Sequence, residues 1–183
     1  MASSFGQRII GAARLDVNTY EEVEADTSAL GQAMAVVVMA SVAAGIGSLR
    51  TGGFGGLVMA TLAALVGWFI WAGLTYLIGT KMLPEPQTQA DMGEMLRTIG
   101  FASSPGLLSV FGILPFVGAL VGLITSIWML LAFVVAVRQA LDYKSTGRAV
   151  AVCLIGFVVY LAIGFAMSLV TGAGAAIMGG GTP

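Results

Sequence analysis

The stretch from Thr98 to Val137 contains forty consecutive residues without a charged side chain. One helix that crosses a bilayer needs about 20 apolar residues, so this run is too long for one crossing and about right for two. The pair Leu114-Pro115 lies near its middle. How this run is divided therefore decides the topology of the whole chain.

The composition places the chain in the membrane class. Hydrophobic residues make up 58% of the sequence, charged residues 9%, and the mean hydropathy is +0.97. A soluble globule of this length would need more polar side chains to cover its surface. The charges also leave long gaps, which predict the spans: between Asp26 and Arg50, between Arg50 and Lys81, between Arg97 and Arg138, and after Arg148.

The distribution of basic residues favours two crossings of the forty-residue run. Cytoplasmic loops are enriched in Lys and Arg. With one crossing, the eight basic residues divide four against four; with two, seven share one side and Arg50 alone lies opposite. The sequence therefore predicts five spans, with the N-terminus inside and the C-terminus outside.

The predicted fold is an all-α, polytopic membrane helical bundle with five transmembrane helices and short interfacial amphipathic helices. Residues 1–30 form a cytoplasmic interfacial segment and residues 171–183 a glycine-rich outer tail. The membrane domain covers residues 31–170, with spans at about 31–48, 57–79, 99–114, 116–137 and 149–170.

Local signals predict the elements at the N-terminus. Apolar residues from Phe5 to Ala13 recur at helical spacing beside Arg8 and Arg14, as expected of a helix in the membrane interface. The segment Thr19–Glu22 has the pattern of a capping box, and Asp26 offers a cap ahead of the first span.

Two later segments carry further signals. Thr51–Gly56 is rich in glycine and predicts a flexible turn, whereas Pro84-Glu85-Pro86 excludes a helix. From Met92 to Ile99 the apolar residues follow a helical period, which predicts an amphipathic helix whose polar face carries Asp91, Glu94 and Arg97.

The chain lacks the groups that most membrane chemistry needs. It has no histidine, and no charged residue lies deep in a predicted span. The acidic segment Glu21–Asp26 lacks the alternating spacing of a calcium loop and reads as a solvated helix face. We therefore predict no catalytic residue, no cofactor, no metal site and no nucleic-acid partner.

Small residues give the clearest positive signal within the spans. They predict close helix packing, either within this chain or against a second copy or a partner subunit. Trp68, Trp71 and Trp128 fall near mid-span, where they line a groove for a lipid or pigment or, in the simpler interpretation, fill space beside small residues. The packing candidates are Gly118 and Gly122 in the fourth span, and Gly156, Tyr160, Gly164 and Ser168 in the fifth.

The start of the third span resembles a known family. Gly100-Phe101-Ala102-Ser103-Ser104-Pro105 is similar to the Gly-Tyr-x-x-x-Pro signature of Yip1-domain proteins, and Leu114-Pro115-x-x-Gly118 follows at the expected turn. The motif residues carried over are Gly100, Phe101, Pro105 and Pro115. The resemblance implies five spans and is strongest to prokaryotic members. The eukaryotic relatives bind prenylated Rab GTPases, but the acidic-Leu-Tyr-Gly-Pro motif they carry before the first span is absent here.

These observations leave three functional hypotheses. The first is a non-catalytic Yip1-like protein of a prokaryotic cytoplasmic membrane, which contacts lipid and acts by helix packing or membrane organisation. The second is an accessory subunit of a larger membrane complex, such as an energy-converting or photosynthetic one. The third is a facilitator for an uncharged solute, which needs hydroxyls around one cavity: Ser41, Thr61, Thr75, Ser126 or Ser168.

Overall fold

The computed structural model describes residues 3–47, 49–114 and 117–179, with the side chains of 49–54, 56 and 170–179 excepted. The described residues form helices and loops and contain no strand. The α-helices are α1 Phe5–Ala13, α2 Val17–Ala25, α3 Leu30–Gly47, α4 Leu49–Leu77, α5 Met92–Ala102, α6 Gly118–Ala140 and α7 Thr146–Gly179. Three other helical segments adjoin them: a 3₁₀ turn at Thr27–Ala29, a π-helical turn at Ile78–Met82 and a 3₁₀ helix at Ser104–Ile113.

Five helical stretches are long and apolar enough to cross a membrane, as the charge gaps predict. They are Thr27–Gly47, Leu57–Met82, Met92–Ile113, Gly118–Ala140 and Thr146–Leu169. The prediction of an all-α bundle with five spans is confirmed. The third span differs from the others, because it joins α5 to the 3₁₀ helix.

Pro105 explains why α5 ends inside the third span. Proline has no N–H, so the carbonyl of Phe101 loses its usual helical donor. The hydroxyl of Ser104 donates to that carbonyl over 2.5 Å instead. The chain continues as a 3₁₀ helix that packs between α3 and α6. The approach to α3 is close, because a methyl group added to Gly106 would lie 3.0 Å from Cβ of Ala40.

The N-terminal segment forms a helical hairpin of α1 and α2. Ser4 caps α1 together with Gln7, and a left-handed Leu15 (φ 62°) turns the chain into α2. Asp16, not Thr19, caps α2. The predicted capping box at Thr19–Glu22 is therefore wrong, because Thr19 already lies inside the helix and its hydroxyl bonds to Asp16.

The predicted flexible turn at Thr51–Gly56 is also wrong. Helix α4 begins at Leu49 and runs through this segment. Glycine weakens a helix interior by about 1 kcal/mol per residue. This segment is nevertheless continuous with the helix of the second span, Leu57–Met82, which it extends at its N-terminal end. The Pro84–Pro86 loop is not helical, as predicted.

The packed core lies where α3, α5 and α6 meet. Ala33 and Val36 of α3, Ile99 of α5, and Ala132 and Ala136 of α6 are almost fully buried. The outer faces of α4, α6 and α7 instead expose large apolar side chains, among them Phe69, Leu123 and Phe165. An apolar surface of this extent suits contact with lipid rather than water.

Candidate functional site at the charged end of the bundle

Charged and polar side chains gather at one end of the bundle, which we call the charged end. It consists of the α1–α2 hairpin, the start of α5, the loop 83–91 and the loop 141–145. Contacts between segments far apart in sequence hold it together, and they take three forms: an ion-pair network, arginine bonds to the backbone, and a clamp between two loops.

Arg8 is the centre of the ion-pair network. Its side chain is only 3% exposed. Nη2 lies 2.9 Å from Oε1 of Glu22 and 2.7 Å from Oδ2 of Asp26, and Nη1 donates to Oε1 of Gln32 over 3.0 Å. One buried guanidinium thus joins α1, α2 and α3.

The two acidic partners of Arg8 are held in their charged forms. Hydrogen bonds from Ser3, and then Arg8, lower the pKa of Glu22 against the opposing effect of burial. Hydrogen bonds from Ser28 and then Arg8 likewise lower the pKa of Asp26. Both side chains remain 29% exposed, but their pairing with Arg8 is a contact that the interpretation as a solvated helix face did not predict.

Arg97 makes the second kind of contact. We expected it on a polar face with Asp91 and Glu94, but it is only 5% exposed. Its Nε donates to the backbone carbonyls of Val23 at 3.0 Å and Glu24 at 3.1 Å, and its Nη2 also donates to the Glu24 carbonyl. The last carbonyls of a helix lack helical partners, so Arg97 of α5 completes the C-terminus of α2.

The loops 83–91 and 141–145 form the clamp. Oε2 of Glu85 accepts the backbone N–H of Lys144 over 3.0 Å, and Nε of Arg148 lies 3.4 Å from Oε1 of Glu85. The hydroxyl of Tyr143 donates to the carbonyls of Gly79 and Leu83 at 3.0 and 2.7 Å. Burial raises the pKa of Tyr143 and keeps it a donor.

The clamp fixes the path of the chain between its two loops. The segment Met92–Ala140 leaves the charged end through α5 and the 3₁₀ helix and returns to it through α6. The Arg97 bonds bring the N-terminal hairpin to the same end. This path is the hairpin that charge counting predicts.

Glu24 lies among other carboxylates at the junction of α2 with α5. Burial first, and then the negative charges of Asp142, Glu94 and Glu21, raise its pKa to about 7, with Arg97 acting in the opposite direction. Among the described residues, no group of three or more His, Cys, Asp or Glu is placed to hold a metal ion.

The tryptophans join elements by hydrogen bonds as well as by packing. Nε1 of Trp128 donates to the carbonyl of Ala13 over 2.7 Å, and Nε1 of Trp68 donates to the carbonyl of Leu96 over 3.1 Å. Trp71 packs edge-on to Tyr160 at 6.2 Å between ring centroids. The sequence indicated the packing, but no local pattern reveals which carbonyl an indole reaches.

The motif residues occupy the contact between α5, α3 and α1. A methyl group added to Gly100 would lie 2.7 Å from Cβ of Ala33, so only glycine allows this approach of α5 to α3. Phe101 is fully buried and packs edge-on to Phe5 at 6.3 Å. Pro105 is the second residue of the 3₁₀ helix, and Pro115 lies outside the described residues.

The small-residue candidates divide into two groups. A methyl group added to Gly118 would lie 2.5 Å from the carbonyl of Gly112, and one added to Gly156 would contact the ring of Trp71 at 3.6 Å. Methyl groups added to Gly122 or Gly164 would meet no described atom within 4 Å. Ser168 is exposed and donates to the carbonyl of Phe165 in its own helix. Within the four-residue stripe on α7, Gly156 is buried, whereas Tyr160 packs against Trp71 and remains 38% exposed.

The hydroxyls considered for a solute path do not share a cavity. Ser41, Thr61, Thr75, Ser126 and Ser168 each donate to a carbonyl of their own helix. The larger of two described grooves, about 450 Å³, is lined by apolar residues of α4. The other, about 340 Å³, lies between the 3₁₀ helix and α6 and includes Thr125, whose hydroxyl has no partner.

Comparison with sequence models of protein families identifies the family of the chain. A sequence model of the Yip1 domain matches residues 17–166. The chain belongs to the Yip1 domain family. The Yip1 domain begins at the first residue of α2 and includes Arg97, the clamp and the motif residues Gly100, Phe101 and Pro105, whereas α1 precedes the match. Comparisons with curated proteins and with solved structures find no match.

Proposed function

We propose that this Yip1-domain protein is a non-catalytic component of a prokaryotic cytoplasmic membrane that acts through helix packing and membrane organisation. The charged end faces the cytoplasm, and the C-terminus lies outside. The observation that carries the proposal is that charged side chains of the described residues hold structural elements together. They are Arg8, Glu22, Asp26, Arg97 and Glu85.

The surface within the membrane supports the same proposal. The two grooves named above are lined almost wholly by apolar residues, and the span hydroxyls named above bond to their own helices. An active site in a membrane needs convergent polar groups in a pocket. The described surface offers lipid-facing side chains instead.

An accessory role in a larger complex has one observation in its favour. From Phe157 to Leu169, every residue of α7 except Val159 is exposed. A helix that the chain itself covers so little offers a surface to lipid or to a partner subunit. A small-residue stripe that includes Gly164 lies on this part of α7.

Gentle purification separates the two functions. We expect the chain, extracted in mild detergent and sized by light scattering, to remain folded without a stoichiometric partner in mass spectrometry. A partner that co-purifies at fixed stoichiometry, and without which the chain degrades, contradicts the first function and supports the accessory role. Gly164→Leu then tests the surface, because a Cβ at this position has no described atom within 4 Å, so the larger side chain is expected to disturb a partner that docks on α7 rather than the fold of the chain.

A further inference from the structure

Helix α1 lies against a surface that four other helices build, which we call the α1 groove. It is formed by Tyr20, Glu22, Asp26, Gln32, Phe101 and Trp128, from α2 and its C-terminal cap, α3, α5 and α6. All six residues fall within the stretch that matches the Yip1 domain, whereas α1 precedes it. The contacts of α1 are therefore contacts between a short helix and the Yip1 domain.

The groove surrounds the guanidinium of Arg8 with three oxygen-bearing side chains. Nε and Nη2 of Arg8 donate to Oε1 of Glu22 over 3.1 and 2.9 Å, and Nη2 also donates to Oδ2 of Asp26 over 2.7 Å. Nη1 donates to Oε1 of Gln32 over 3.0 Å. A planar group with several donors fits this arrangement, and a lysine ammonium fits it less well. The groove thus selects a helix that carries an arginine.

Neutral donors of the groove bind the C-terminal end of α1. The hydroxyl of Tyr20 donates to the carbonyl of Ala12 over 3.1 Å, and Nε1 of Trp128 donates to the carbonyl of Ala13 over 2.7 Å. The last carbonyls of a helix lack α-helical partners, so they are free to accept such bonds. The groove therefore fits a short helix that ends soon after its arginine.

Two further contacts define the shape of the groove. Phe5 packs edge-on to Phe101 at 6.3 Å between ring centroids. A Cβ added to Gly11 would overlap the hydroxyl of Thr19 and lie 3.0 Å from its Cβ, so glycine permits the approach of α1 to α2. Phe5, Arg8 and Gly11 follow at intervals of three residues, which is the spacing of a helix that binds in a groove by one face.

We propose that the Yip1 domain of this chain carries a docking groove for a short amphipathic helix with one arginine, and that α1 occupies it as a reversible intramolecular ligand. The nine residues of α1 are too few for a helix that is stable alone in water, so α1 unfolds when it leaves. Desolvation of Arg8 offsets much of the attraction in its ion pairs, which keeps docking weak enough to reverse. Release also frees Leu15 from its left-handed backbone (φ 62°).

The groove persists when α1 leaves, because other contacts hold its walls. Arg97 bonds the last carbonyls of α2 to α5, and Val23 of α2 is fully buried. Phe101 and Trp128 belong to membrane spans. A helix of the same pattern on a partner protein can therefore bind this surface only after α1 has left it. Helix α1 thus acts as an autoinhibitory segment.

Binding of a peptide to the full chain tests the groove. The probe is a synthetic peptide of residues 3–15 with a fluorophore at its C-terminus, and its anisotropy is measured with the chain in nanodiscs of zwitterionic lipid. Gly11→Leu should release α1 and leave the groove residues unchanged, and Gly6→Leu is the matched control, since a Cβ at Gly6 meets no described atom within 4 Å. We expect Gly11→Leu to bind the peptide about a hundredfold more tightly than the wild type or Gly6→Leu, because a linked helix competes at a high effective concentration.

Changes at the arginine test the chemistry of recognition. Arg8→Gln in the chain releases α1 by a different route and should bind the peptide as tightly as Gly11→Leu, so a fold defect in one variant does not decide the result. The same Arg8→Gln change placed in the peptide should weaken binding by about tenfold or more. Glu22→Gln added to the Gly11→Leu chain should weaken it similarly.

Three results would overturn the proposal. The first is equal affinity for the wild type, Gly6→Leu and both release variants, or no binding to either release variant. The second concerns hydrogen exchange of the wild type, in which the amides of residues 8–13 should open while α5 stays protected; exchange of α1 only together with α5 shows that docking is not reversible. The third is a wild-type dimer that excess peptide converts into monomers, since the groove would then hold α1 of a second copy.

Discussion

Arg97 is a buried arginine that stabilises the end of a helix far away in sequence. Its bond to Val23 spans 74 positions, and the carbonyls it serves belong to the last turn of α2. A planar guanidinium reaches two such carbonyls at once, which a lysine ammonium does less well. The residue therefore connects the N-terminal hairpin with the third span.

Replacement of Arg97 tests this connection. Arg97→Met keeps an apolar stem and removes the donors, so we expect the free energy of unfolding to fall by about 1.5–3 kcal/mol. Arg97→Lys should recover only part of the loss. The measurement is an unfolding titration of the purified protein in detergent. The exposed Arg14→Met should change the free energy by less than about 0.5 kcal/mol, and an equal loss in both variants contradicts the account.

Gly100 permits a separate test at the contact of α5 with α3. Gly100→Ala places a methyl group 2.7 Å from Cβ of Ala33, so the helices must move apart at a cost of about 1–3 kcal/mol. Gly164→Ala makes the same change where no described atom lies within 4 Å. Thermal unfolding of the two variants should separate them clearly. A melting temperature that falls as far for Gly164→Ala as for Gly100→Ala would show that the contact is not the cause.

At the scale of elements, the third span is distinguished by its change from α-helix to 3₁₀ helix at Pro105. A 3₁₀ helix rises about 2.0 Å per residue against 1.5 Å for an α-helix, so the ten residues of Ser104–Ile113 cover more of the bilayer. The Ser104 hydroxyl makes the change tolerable, since it serves the carbonyl that proline leaves without a donor.

A double-mutant cycle tests this exchange of donors. Ser104→Ala should cost about 1–3 kcal/mol, because the carbonyl of Phe101 loses the hydrogen bond from the hydroxyl and keeps only the one from the backbone N–H of Ser103. Adding Pro105→Ala supplies an N–H four residues after that carbonyl and should restore part of the stability. Additive losses in the double variant, measured by the same unfolding titration, would mean that the hydroxyl does not replace the missing amide.

The helices and their approximate positions could be predicted because lipid imposes strong rules on sequence. Charge gaps reveal spans, and the balance of Lys and Arg divides the forty-residue run. Three local interpretations failed: the caps at Thr19–Glu22, the turn at Thr51–Gly56 and the polar face with Arg97. The cap failed because Asp16, three residues earlier, already begins α2. The polar face failed because Arg97 bonds to carbonyls 73 and 74 positions away, which no local window contains.

The contacts of the charged end were harder to predict from sequence, because they join residues that are far apart in the chain. Arg8 pairs with residues 14 and 18 positions away, and Lys144 meets Glu85 across 59 positions. Periodicity describes one helix at a time, so it cannot show which loops meet. The motif Gly100–Pro105 was visible in the sequence, but its physical meaning became clear only from Ala33, Phe5 and Ser104.

At the scale of the whole molecule, the central claim is that Met92–Ala140 crosses the membrane twice and brings the loops 83–91 and 141–145 to the same side. The clamp between Glu85, Lys144 and Arg148 depends on this path. So does the assignment of seven basic residues to the cytoplasm. Every proposal about the charged end rests on the same arrangement.

Labelling of single cysteines in intact cells tests that claim most directly. In a Cys153→Ser background, Gln87→Cys, Lys144→Cys and Leu114→Cys are exposed in turn to a membrane-impermeant maleimide before and after lysis. The account predicts that positions 87 and 144 react only after lysis, whereas position 114 reacts in intact cells. Reaction of positions 87 and 144 from opposite sides of the membrane would contradict it.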